Sequence, residues 1–137
     1  MVTAHRHHIV VAEDDAAIRE LLTIRLEQAG HLVTAARDGH EALAAIRAQR
    51  PDCVILDVGM PGLDGFGVLR ELQADPTLRD IPALVLTAND AFDDVRKATS
   101  LGAKDYMTKP FDAARLLSRI ARLNVVRDRK RLHFGEY

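Results

Sequence analysis

The sequence predicts an α/β fold of the form (βα)5, a five-stranded parallel sheet covered by helices on both faces. Three observations carry this. Five short apolar runs alternate with five stretches whose apolar residues recur at helical spacing. The central run, Val54-Ile55-Leu56-Asp57, is unbroken, as expected of a strand buried on both faces. Glycine, proline or acidic residues punctuate the junctions between elements.

The first strand is Ile9-Val10-Val11-Ala12, closing on Glu13-Asp14-Asp15. Asp15 is a candidate N-cap for a helix carrying Ile18, Leu21, Leu22, Leu26 and Ala29, which Gly30 stops. His31 to Ala35 is the second strand, and Glu41 to Ala48 the second helix, with Leu43 and Ile46 inward and Pro51 beyond its end. Cys53 to Asp57 is the central strand. Gly59, Pro61, Gly62 and Gly65 mark a loop after it, with Asp64 as a loop cap. Phe66 to Ala74 is the third helix, broken by Asp75-Pro76. Ile81 to Thr87 is the fourth strand, with Pro82 near its start, where proline is tolerated. Asn89 or Asp90 caps a fourth helix that runs to about Leu101 and ends at Gly102. Ala103 to Thr108 is a short fifth strand, and Phe111 opens a fifth helix with Leu116, Leu117, Ile120 and Leu123. Right-handed crossovers leave few topologies, and the flavodoxin-like order 2-1-3-4-5 suits five such units.

The chain has 137 residues, a size for one domain with a core of its own. Its net charge of −1 favours neither nucleic acid nor an anionic membrane as a bulk partner. The single cysteine, Cys53, excludes an internal disulfide and reads as an inert core thiol. The opening apolar run is too short for a signal peptide or a membrane span, so a cytoplasmic protein is expected. Residues 1–7 are expected to be a disordered N-terminal segment, and His5, His7 and His8 could form a metal clip only if that segment were ordered.

In open parallel sheets, ligands bind outside the carboxyl ends of the strands. Strand one ends at Glu13 and Asp14, strand three at Asp57, strand four at Thr87, and strand five just before Lys109. Three carboxylates gathered there repel one another at low dielectric. A hard divalent cation with all-oxygen ligands offsets that repulsion, which suits Mg²⁺. Lys109 adds a point charge and Thr87 a hydroxyl. The ligand such a set lacks is a phosphoryl group, with Asp57 as the nucleophile that takes it.

Four motifs arrive in order on these elements: Val11-Ala12-Glu13-Asp14-Asp15, the run Leu56 to Gly65, Leu86-Thr87-Ala88, and the run Gly102 to Phe111. They resemble the CheY-like receiver domain of bacterial two-component response regulators, over about residues 8–123. The resemblance implies that Asp57 accepts phosphate from a sensor histidine kinase or phosphotransfer protein. It implies Mg²⁺ held by Glu13, Asp14, Asp57 and the Gly59 carbonyl, and Lys109 on the phosphoryl group. It implies a cis peptide at Lys109–Pro110. Thr87 and Tyr106 become a switch pair that alters the face of helix four, strand five and helix five, which a downstream protein reads. Tyr106 has a plainer alternative as a half-buried core tyrosine. Gly59 departs from the family pattern, which more often has a side chain there, and leaves the phosphoryl lifetime open. Close backbone approach to the metal is the other reason for a glycine at that place.

Residues 124–137 read as a basic helix extension or a C-terminal tail, and no DNA-binding winged helix fits in them. Leu72 to Pro82 resembles single-domain regulators, hybrid kinases and diguanylate cyclases more than transcription-factor receivers. Asp105 and Arg119 fit the charge pattern of the DNA-binding subfamily's dimer, but Val95 and Arg115 stand where opposite charges belong. The expectation is a monomer or a phosphorylation-dependent dimer, with no direct contact to nucleic acid or membrane. The competing classes are an Mg²⁺ phosphohydrolase, a flavin module on the same sheet order, and a degenerate receiver that only docks partners. The first lacks a second carboxylate where Gly59 stands, and the acidic first loop would repel the phosphate of the second.

Overall fold

A computed structural model describes residues 6–88 and 92–135, with side chains described up to Val125. The expected cap at Asn89 or Asp90, the side chain of His5 and the basic cluster after Val125 lie outside that description. Chain order is β1 (His8–Ala12), α1 (Ala16–Gln28), β2 (Leu32–Ala36), α2 (Gly39–Gln49), β3 (Cys53–Asp57), α3 (Gly65–Ala74), β4 (Ala83–Thr87), α4 (Phe92–Ser100), β5 (Asp105–Thr108) and α5 (Ala113–Gly135). All strand pairs are parallel and the sheet order is β2-β1-β3-β4-β5. This is the expected (βα)5 topology.

Alternation along the strands divides the core into two layers. Val10, Ala12, Val54, Leu56 and Val85 face α2, α3 and α4. Ile9, Val11, Ile55, Leu84 and Leu86 face α1 and α5, where Leu22, Leu26, Leu116 and Ile120 meet them. Every residue of β3 is buried, as the unbroken apolar run requires. Cys53 is buried within that strand and is not in a disulfide.

Several boundaries differ from expectation for identifiable reasons. Leu21 is exposed, and Ala29 is the C-cap of α1, not part of its apolar face. The stripe that meets the sheet runs Ile18, Leu22, Leu26 at i, i+4, i+8, and Leu21 is turned about 100° from it. β4 starts at Ala83: the Pro82 carbonyl accepts from Val54 N–H (3.0 Å), but proline has no N–H to return. β5 starts at Asp105, because Ala103 N–H closes the end of α4 on the Ala98 carbonyl (2.9 Å). Gly102 makes that closure at φ 94°, a conformation glycine adopts without cost.

Candidate functional site

Each strand delivers its site residue because the next residues leave the ladder. β1 ends at Ala12, and Glu13 N–H still reaches the Ala36 carbonyl (3.1 Å), so Glu13 is fixed and fully buried. Asp15 caps α1, its Oδ1 accepting from Ala17 and Ile18 N–H at 2.9 and 3.1 Å. Its own N–H donates to Glu13 Oε2 (3.1 Å). Asp57 closes β3 beside Leu86 of β4 and is 3% exposed. Gly59 N–H donates to Asp57 Oδ1 (3.0 Å). Asp64 caps α3, accepting from Gly67 N–H (2.8 Å), and Gly65 lets the helix start against the strand. A Cβ at Gly65 would sit 2.6 Å from the Asp57 carbonyl oxygen.

These turns bring the expected cluster together. Carboxylate oxygens of Glu13, Asp14 and Asp57 all lie within 4.8 Å of one another, and Asp14 is the solvent-facing member. Lys109 Nζ lies 2.5 Å from Glu13 Oε1 and 3.3 Å from Asp57 Oδ1. Lys109 N–H also donates to the Thr87 carbonyl (2.8 Å), tying the ends of β4 and β5 together. The Lys109–Pro110 peptide is cis.

The charges are unevenly shared. Burial pushes the Glu13 carboxyl up to about 7, helped by its hydrogen bond to Asp57 and opposed by Lys109. Burial pushes Asp57 up too, but its hydrogen bond with Glu13, the Gly59 N–H and the charge of Lys109 together hold it below the usual carboxylate range. Desolvation works against the Lys109 ammonium, yet the two carboxylates override it and raise its pKa. Asp57 is therefore the more acidic carboxyl of the pair, and Glu13 the one that burial makes easier to protonate. Three carboxylates with oxygens within 4.8 Å of one another, one of them pushed toward protonation by burial, form a set of hard oxygens that fits a divalent cation.

Thr87 is buried at the end of β4, and its hydroxyl donates to Asp94 Oδ2 of α4 (3.4 Å). Tyr106 is 41% exposed on β5, which disagrees with the half-buried core alternative. Gly59 is not demanded by crowding: a Cβ there would meet only Asp57 Oδ1, at an ordinary 3.6 Å. Of the expected clip, the described members His7 and His8 have different neighbours. His7 precedes β1 and His8 opens it. His8 Nε2 meets Thr34 Oγ1 at 2.8 Å, whereas the His7 ring lies 5.8 Å from that of His31.

Two residues near the site were not anticipated. Asp94 holds the Thr87 hydroxyl, and nothing in the sequence marks it out from its neighbour Asp93. Arg19 Nη1 donates to the carbonyls of Glu13 (2.8 Å) and Asp14 (3.4 Å). A signal for Arg19 existed: it is a cation in the opening turns of a helix whose first turn holds no acid, against the helix dipole.

A β2-β1-β3-β4-β5 sheet with an acidic cluster and a lysine at its carboxyl edge defines a CheY-like receiver fold. The match to known families agrees: the response regulator receiver domain covers residues 9–121, and this chain belongs to that family. The chain is 44% identical over 117 residues to the transcriptional regulatory protein CseB of Streptomyces avermitilis, covering 85% of this chain and 48% of that protein. Among solved structures, a receiver domain of a histidine kinase from Syntrophus aciditrophicus is 36% identical, with a TM-score of 0.81 over 87% of this chain and 90% of that one. NtrX from Brucella abortus is 31% identical, with a TM-score of 0.86 over 97% of this chain and 30% of that one. The chain thus spans about half the length of the curated relatives it matches. Several of those relatives are named as transcriptional regulators, while the histidine kinase receiver among the solved structures is of the kind that Leu72 to Pro82 resembles.

Proposed function

We propose that this receiver domain takes a phosphoryl group on Asp57 and signals through the face formed by α4, β5 and α5. The observation that carries the reading is the buried, ionised Asp57 carboxylate, 3.3 Å from Lys109 Nζ and beside Glu13 and Asp14. An Asp57 oxygen attacks the phosphorus of a phosphohistidine on a histidine kinase or phosphotransfer protein. The P–N bond breaks and the imidazole leaves, taking up a proton. Water later cleaves the aspartyl-phosphate to inorganic phosphate and Asp57. The chain catalyses only these changes on itself. Glu13, Asp14, Asp57 and the Gly59 carbonyl would hold Mg²⁺, which when bound supplies positive charge against the phosphoryl oxygens. Lys109 is positioned to meet the same oxygens as a point charge.

A phosphoryl group adds about −1.5 to −2 charge at pH 7. Its oxygens compete with Asp94 for the Thr87 hydroxyl. Moving Thr87 frees space for Tyr106 to turn inward from its exposed position, which shifts a bistable face. Shallow grooves flank Tyr106 on that face, one reaching Thr99 and Lys104 and the other Phe111 and Arg115. Asp105 is already paired with Arg119 inside the chain at 2.7 Å, so a dimer through that pair must break an existing contact.

Residues 8–123 form the receiver unit, acting in the cytoplasm, and a protein or domain that reads its α4, β5 and α5 face supplies the output. The names of the relatives favour transcription as that output, with the receiver itself touching protein and not nucleic acid. Incubation with acetyl phosphate and Mg²⁺ followed by intact-mass measurement tests the proposal. The expected gain is one phosphoryl group, absent with chelator and absent in Asp57→Asn. An Asp57→Asn variant that gains phosphate as the wild type does would refute the assignment.

A further inference from the structure

We infer that Arg19 is a positioning residue for the acidic pocket: its guanidinium clamps the Glu13 and Asp14 carbonyls and so aims the Asp14 carboxylate at the cation site. This rests on the reading of Glu13, Asp14 and Asp57 as the metal-holding set.

Asp14 is the exposed member of the cluster and stands on a loop. Glu13 is held without help from Arg19. Its N–H bonds Ala36, its Oε2 accepts from Asp15 N–H, and its Oε1 faces Lys109. The Asp14 carboxylate is exposed, and its direction depends on the two peptides that flank it, of which the 14–15 peptide is also held by Asp15 N–H on Glu13 Oε2 (3.1 Å). A carbonyl fixes the plane of the peptide that follows it. The Glu13 carbonyl fixes the 13–14 peptide and the Asp14 carbonyl fixes the 14–15 peptide. With both planes set, φ and ψ of Asp14 are set, and with them the direction of its Cα–Cβ bond. Arg19 Nη1 reaches both carbonyls, at 2.8 and 3.4 Å.

Arg19 itself is held. It lies one turn into α1, its N–H bonds the Asp15 carbonyl (2.9 Å), and its carbonyl accepts from the Thr23 hydroxyl (2.8 Å). Its side chain runs back toward the amino end of the helix, the direction helical side chains favour. Both contacts come from one nitrogen that the rigid guanidinium plane holds in place; a lysine ammonium keeps the charge but sits on a freely rotating stem, so it holds the two carbonyls less firmly. Groups that orient metal ligands from behind typically contribute about tenfold or more in metal affinity.

The test is Mn²⁺ binding, read from the loss of the free-ion EPR signal, for wild type, Arg19→Ala and Arg19→Lys. Circular dichroism melts establish that each variant is folded. Arg19→Ala is expected to weaken Mn²⁺ binding about tenfold, with Arg19→Lys between it and wild type. The maximal rate of phosphorylation at saturating Mg²⁺ stays near wild type, because Arg19 touches no reacting atom. Folded variants that bind Mn²⁺ within threefold of wild type overturn the clamp, as does a loss of maximal rate that saturating metal does not restore. If Arg19→Ala does not fold, Arg19→Lys alone decides by the same threefold limit. A wild-type protein that leaves the Mn²⁺ signal at its buffer level overturns the metal-site reading itself, and the clamp falls with it.

Discussion

Glu13 makes the stability of the metal-free protein depend on pH in a direction that Glu13→Gln should cancel. The folded protein raises the Glu13 carboxyl from 4.5 to about 7, first through burial and then through Asp57. A raised acid contributes stability below its unfolded pKa and loses it as pH rises through the folded one. With those two values, the loss between pH 5.5 and 8.5 comes to about 2 kcal/mol at about 1.4 kcal/mol per unit. Asp57, lowered from 3.8, contributes its stability above its unfolded pKa and is constant across this window. Lys109, raised from 10.5, contributes below its unfolded pKa and is constant too. His31 is lowered by burial and by His7, so it gains stability as pH rises through its ordinary 6.5 and opposes Glu13. Subtracting the Glu13→Gln variant removes the His31 contribution, which both proteins share. The assay is urea unfolding followed by far-ultraviolet circular dichroism, in chelator, at pH 5.5, 7 and 8.5. Wild type should fall behind the variant by about 2 kcal/mol over that range. Excess Mg²⁺ should restore wild type at pH 8.5 more than the variant, because a cation bound only to the native state stabilises it by mass action. Curves that stay parallel within about 0.5 kcal/mol would refute the reasoning, since that is the ordinary scatter of a silent substitution.

Two glycines of the same loop should behave oppositely. Gly65→Ala places a Cβ 2.6 Å from the Asp57 carbonyl oxygen, backbone that cannot step aside, and should lower stability by about 1–3 kcal/mol in the same unfolding assay. Gly59→Met meets only Asp57 Oδ1 at 3.6 Å and should leave stability within about 0.5 kcal/mol. It should nonetheless lengthen the lifetime of phospho-Asp57, by covering the approach of water, when decay of the phosphorylated mass is followed after the phosphodonor is removed.

The parts of this protein that follow from local chemistry were legible in the sequence. β3 is Cys53–Asp57 as read, because four apolar residues closed by an acid have no other comfortable place than the middle of a parallel sheet. Asp15 caps its helix as read, since a short acid before an apolar turn needs only its own neighbours, whereas Asp64, read as a loop cap, is the N-cap of α3. The strand order followed from five alternating units and the handedness of their crossovers. That order alone put Glu13, Asp14, Asp57 and Lys109 at one edge.

Tertiary structure decided whatever depends on a partner distant in the chain. Leu21 is as apolar as Leu22, and only the angle at which α1 meets the sheet exposes one and buries the other. Gly59 and Gly65 look alike in the sequence, but only the packing of α3 on β3 makes one replaceable and the other crowded. Thr87 and Asp94 form a pair because α4 starts beside the end of β4. The difference in acidity between Asp57, lowered, and Glu13, raised, belongs to the assembled pocket. Both are carboxylates with nearly the same intrinsic acidity, and full burial of Glu13 beside an Asp57 that keeps its N–H donor and its lysine sends the proton to Glu13.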